Sequence, residues 1–127
     1  MLHYYDLDIS EVFIHENYLI NQIKDGQHVE PKHAEILQNV IDQHFSKRKL
    51  VYIANRVNSY SVNPLSYKLT ASIDNLVAMA IVTTSEQGIR AAQFEKDFYT
   101  KPFAILYSLK EAIVWSQKQL ASANNKE

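Results

Sequence analysis

Two segments of this chain admit very few folds. Residues 50–54 read Leu-Val-Tyr-Ile-Ala, and residues 76–82 read Leu-Val-Ala-Met-Ala-Ile-Val. Both runs are too short for the ~20 apolar residues of a membrane span and lack the alternation of a half-solvated strand. Strands apolar at every position are covered on both faces, as at the centre of a sheet flanked by helices. A chain of 127 residues is long enough to supply those covers as one self-sufficient domain.

The surrounding patterns provide them. Before residue 24, short β-branched and aromatic stretches form an antiparallel meander: one near Tyr4 and Leu7, one at Val12 and Ile14, and Tyr-Leu-Ile-Asn-Gln-Ile at 18–23. Gly26 marks a turn. Pro31 then opens a helix whose apolar residues, Ala34, Leu37, Val40, Ile41 and Phe45, recur on one face. Lys47, Arg48 and Lys49 complement its negative end.

Asn63 and Pro64 start a short helix expected to use Leu65 and Leu69. Ser85 caps a helix to about Tyr99, with Ile89, Ala92 and Phe98 on its apolar face. Residues 103–107 form a last strand, and Ser108 and Glu111 have the spacing of a capping box. The final helix presents Leu109, Ala112, Ile113, Ser116 and Leu120, with Trp115 at its edge. The expected fold is α/β: a mixed sheet of about five to six strands, an antiparallel meander followed by βαβαβ crossovers, flanked by about four helices. The small, polar residues from about 121 read as a fraying tail of this single domain.

Composition narrows function. A net charge of -1 offers no electrostatic footprint for nucleic acid. The absence of cysteine excludes disulfides and thiolate metal sites and fits a reducing compartment. Met1 to Asp8 lacks the basic and apolar regions of a secretory signal, so the expected location is cytoplasmic.

No glycine-rich phosphate loop or nucleophile elbow occurs, so no cofactor and no catalytic set is expected. His28, Glu30 and His33 cluster at a helix start and read as a solvated turn, since a metal centre needs three or four convergent ligands. The aromatic residues Phe94, Phe98, Tyr99, Phe103, Tyr107 and Trp115 read as core and its rim, with an apolar ligand cleft or a dimer face as the other reading.

The loop at residues 55–63 is the main functional candidate. It leaves the carboxyl end of a central strand, where ligands bind in open α/β sheets. It concentrates Arg56, Asn58, Ser59, Tyr60 and Ser61 just before a helix start.

This strand-loop-helix over residues 50–70, with the ending Phe98-Tyr99-Thr100-Lys101-Pro102-Phe103 and the helix Ser108-Leu109-x-Glu111-Ala112-x-x-Trp115, resembles the SpoIIAA-like proteins. These are a branch of the STAS (anti-sigma-factor antagonist) fold. The resemblance runs from about Asp8 to Leu120. It implies a phosphoacceptor at Ser59 or Ser61, although the family's neighbouring aspartate and glycine are absent here. It also implies a non-catalytic regulatory module that engages a protein, including a second copy of itself, through this loop. SpoIIAA-like proteins resemble lipid-binding CRAL-TRIO domains in fold, so the alternative is a small apolar-ligand carrier with Arg56, Asn58 and Tyr60 at its mouth.

Overall fold

The computed structural model describes residues 2–125. The two apolar runs become β5 (Leu50–Asn55) and β7 (Leu76–Val82), adjacent and parallel at the heart of a six-stranded sheet. The meander supplies β1 (His3–Asp6), β2 (Ser10–Ile14) and β3 (Tyr18–Ile23), paired antiparallel in sequence. The third strand then joins β5 in parallel, and β8 (Phe103–Leu106) closes the other edge in parallel with β7. The order is β1-β2-β3-β5-β7-β8, the mixed sheet implied by the element pattern.

Each face of the sheet carries its own core. Val12, Ile14, Leu19, Leu50, Met79 and Ile81 pack on one side beneath helix α1 (Pro31–Phe45). Helices α2 (Pro64–Ala71) and α3 (Glu86–Glu95) join α1 on this side, through Tyr67, Ala71 and Ala92. Ile20, Val51, Ile53, Ala78, Ala80 and Val82 pack on the other side beneath α4 (Leu109–Asn125), through Ala112. The double apolar character of β5 and β7 is thereby explained: alternate residues of each strand enter opposite cores.

The first helix buries Ala34, Leu37, Val40, Ile41 and Phe45, the face its periodicity defines. Helix α2 differs from expectation. Leu65 and Leu69 are exposed, and the buried face is Ser66, Tyr67, Thr70 and Ala71. The reason is local: the Tyr67 hydroxyl reaches the buried Glu95 carboxylate, and the Ser66 and Thr70 hydroxyls satisfy themselves on the Val29 and Ser66 carbonyls, so this face can turn inward.

The third helix ends at Glu95, and a 3-10 turn (Lys96–Phe98) completes the stretch read as one helix to Tyr99. Residues 121–125 continue α4, where composition alone suggests a fraying tail; residues 126–127 lie outside the described part. Residues 55–63 are only partly loop. Within them β6 (Ser61–Val62) pairs in parallel with β4 (His28–Val29), forming a second, two-stranded sheet.

The cap on α2 is as the sequence indicates: the Asn63 side-chain oxygen accepts from the Leu65 N–H at 3.1 Å. Replacing Asn63 by alanine is expected to cost about 1 kcal/mol in urea unfolding, with Asn63→Asp nearly neutral. Equal losses from both variants would contradict this role.

Candidate functional site

Loop residues 56–60 divide two hollows. Arg56 continues the sheet, its N–H donating to the Val82 carbonyl at 2.8 Å. Its side chain turns inward, and it is 7% exposed. The guanidinium donates to both oxygens of Glu95, at 2.5 and 3.1 Å, and to the Tyr60 carbonyl at 3.1 Å. It also stacks over the Tyr60 ring at 4.3 Å. The Tyr67 hydroxyl donates to the same carboxylate at 2.7 Å.

Burial disfavours the charge on Arg56, but the bond to the Glu95 carboxylate, together with Tyr60 and Tyr67, more than offsets this and holds it above its usual range. Burial also raises the phenols of Tyr60 and Tyr67 well above the usual tyrosine range, so both are neutral at physiological pH.

The rest of the loop is strapped to residues 23–29. The Asn58 amide donates to the Ile23 carbonyl at 2.9 Å, and the Ser59 N–H to the Asp25 carboxylate at 2.9 Å. Gly26, whose φ of 76° is left-handed, donates its N–H to the Ser59 carbonyl at 2.8 Å. The Ser61 hydroxyl shares a 2.6 Å hydrogen bond with His28 Nδ1.

The structure therefore brings Arg56, Asn58, Ser59, Tyr60 and Ser61 onto one anchored segment, but the donors of Arg56 and Asn58 face inward. Ser59 and Ser61 are exposed. The neighbouring histidines have structural partners: the Glu30 N–H donates to His33 Nδ1 at 2.8 Å, and His28 Nε2 lies 3.3 Å from Glu30.

On the inner side of the loop, between α1, α2 and the sheet, lies a cavity of about 260 Å³. Its walls are largely apolar, including Val12, Leu37, Met79 and Ile81. Small side chains at Ser10, Ala34, Ala54 and Ser66 leave the space unfilled. Exposed Asp8, Lys32 and Ile36 mark its opening, between the β1–β2 turn and the first turns of α1.

One wall residue is chemically out of place. Asn21 stands at an inward position of β3 and is 8% exposed. Its Nδ2 donates to the Tyr52 hydroxyl at 2.8 Å, while its Oδ1 is buried without a partner. Burial pushes the Tyr52 phenol up to about 12, partly offset by the Asn21 bond. Sequence reading passes over Asn21; the available signal is a lone amide in phase with the inward residues Leu19 and Ile23.

On the outer side lies a wider crevice of about 660 Å³, at the carboxyl ends of β5 and β7. Val57, Ser59, Thr83, Ser85 and Tyr107 line it, beside the starts of α3 and α4. Gly88 of α3 packs so closely on the Thr83 hydroxyl that a Cβ there would overlap it.

Comparisons with known proteins define the class by fold. No family model and no curated protein sequence matches the chain. A solved structure does: an uncharacterized protein of the DUF3478 family with a SpoIIAA-like fold, from Shewanella loihica PV-4. It superposes with a TM-score of 0.61 at 13% identity, over 88% of this chain and 97% of that one. The fold of the present protein is SpoIIAA-like, as the residues at 50–70 and 98–115 suggest. Among the described residues no helix is long and apolar enough to cross a membrane.

Proposed function

We propose that this protein is a non-catalytic binding module, cytoplasmic as its cysteine-free composition suggests, that takes a small, mostly apolar ligand into the inner cavity. The observation that carries this reading is an apolar hollow of about 260 Å³ walled by core residues of two helices and four strands. The hollow opens between Asp8, Lys32 and Ile36, so an apolar molecule can enter and bury its surface against these walls at ~25 cal/mol per Å². Tyr60 of the anchored loop and Tyr67 of α2 form part of the wall, the Tyr60 ring beneath the Arg56 guanidinium and the Tyr67 hydroxyl bonded to Glu95.

Thermal unfolding against a panel of small apolar molecules tests the proposal. A ligand at a hundred times its Kd adds about 2.7 kcal/mol, raising Tm by roughly 8 °C in a chain of this length. A flat response across the panel would refute it.

The exposed rim of the outer crevice favours a second reading, docking of a protein partner or a second copy through residues 56–63. Val57 and Tyr107 are 63% and 61% exposed there. In this reading Ser59 and Ser61 are the phosphoacceptors. A pull-down with a Val57→Asp/Tyr107→Ser control separates the readings: a partner lost in the variant supports docking, and an unchanged set argues against it.

A further inference from the structure

Resting on the cavity reading above, we infer that the ligand carries a hydrogen-bond acceptor of the carbonyl class, received in the inner cavity by the hydroxyl groups of Ser10 and Tyr60.

The polar atoms of the lining fall into two groups. Asn21 Oδ1 is sealed away even from water-sized molecules and takes no part. The Ser10 and Tyr60 hydroxyls have no hydrogen-bond partner among the described residues, yet neither is sealed in this way. Ser10 is 3% exposed, and the surface it keeps belongs to the cavity lining. The two residues stand on adjoining walls. Ser10 pairs with Ile23 across β2 and β3, and the Ile23 carbonyl receives the Asn58 amide, two residues before Tyr60. A hydrocarbon filling the hollow would strip both hydroxyls of water and leave them unpaired, at about 1–3 kcal/mol each. A ligand with an oxygen at this point restores the bonds.

The valences left open in the lining are chiefly donors. The Tyr52 oxygen already receives the Asn21 amide, which leaves its O–H. His33 Nδ1 receives the Glu30 N–H, which leaves the proton on Nε2. Burial holds the phenols of Tyr52 and Tyr60 above their usual range, so both keep their protons at neutral pH. A carbonyl oxygen has two lone pairs and no proton to place, so it can receive the Ser10 and Tyr60 hydroxyls together. A carboxylate offers the same acceptor chemistry with a charge.

Three probes separate these features. Benzene enters an apolar cavity of ~150 Å³, so about 260 Å³ takes a benzene ring with a short substituent. Acetophenone and α-methylstyrene share a shape and differ by a carbonyl oxygen in place of a methylene carbon. Benzoate presents the acceptor as an anion. Titration calorimetry on the full chain compares wild type with Ser10→Ala/Tyr60→Phe, which removes the two unpartnered hydroxyls and keeps the Tyr60 ring beneath Arg56. Acetophenone should bind the variant about tenfold more weakly than wild type, while α-methylstyrene binds it at least as tightly. The single variants Ser10→Ala and Tyr60→Phe carry the same test should the double variant not fold. Benzoate that weakens along with acetophenone extends the class to carboxylates, and benzoate that does not bind restricts it to neutral carbonyl compounds. Equal changes for acetophenone and α-methylstyrene, or wild-type binding of α-methylstyrene alone, would overturn this inference and leave the cavity reading standing. No binding of any probe to wild type would overturn both.

Discussion

Replacing Glu95 by leucine is expected to destabilise the protein by about 3–5 kcal/mol. The substitution leaves the Arg56 guanidinium, its side chain only 4% exposed, charged and without its carboxylate, and strands the Tyr67 hydroxyl. Arg56→Met should cost a similar amount for the mirror-image reason. The double variant Arg56→Met/Glu95→Leu should recover most of the loss, because a buried pair is compensated desolvation and contributes little net stability. Urea unfolding of the four proteins gives the cycle. Single losses below about 1 kcal/mol, or additive losses in the double variant, would show that the pair is not the buried element described.

Filling the cavity should produce the second large effect, on binding and not on stability. Ala54 is 3% exposed, and it lines the cavity from β5. Leucine there adds three carbons in the space a ligand would use. Displacing an equal number of ligand carbons loses about 0.8 kcal/mol each, hence about 2.4 kcal/mol, or roughly sixtyfold in affinity. The new side chain gains a comparable burial, offset by packing strain, so Tm should move little. Binding of a small apolar ligand from the thermal-shift panel at wild-type affinity in a folded Ala54→Leu protein would place the ligand elsewhere.

The sequence makes the architecture legible because the architecture depends on apolar periodicity. The runs at 50–54 and 76–82 require a doubly covered sheet, and the helix face of Ala34, Leu37, Val40, Ile41 and Phe45 is buried residue for residue. The same logic misplaces Leu65 and Leu69. Periodicity assigns apolar residues inward, whereas α2 turns Ser66, Tyr67 and Thr70 toward a hollow and a carboxylate.

The candidate site is less legible for related reasons. Arg56 looks like a contact residue in a polar loop, but its partner Glu95 lies 39 residues further along a helix, where glutamate ordinarily reads as solvated. Only the close approach of the loop to the third helix reveals the pair. The cavity leaves almost no trace, since empty volume is set by small residues from several elements, Ser10, Ala34, Ala54 and Ser66. The pairing of His28–Val29 with Ser61–Val62 is two residues long on each side, below the length at which strand alternation can be read.

Occupancy of the inner cavity is read out by nuclear Overhauser effects between the alkyl protons of a bound small apolar ligand and the Met79 methyl group. The chain has two methionines, Met1 and Met79, so the signal is readily assigned. Met79 is 2% exposed, and it lies in the cavity wall on β7. Strong effects are expected at Met79 and at the Ile81 and Leu37 methyls, which also line the cavity. Effects confined to Val57 and Tyr107 at the outer crevice, or none at all with ligand in excess, would contradict occupancy of the inner cavity.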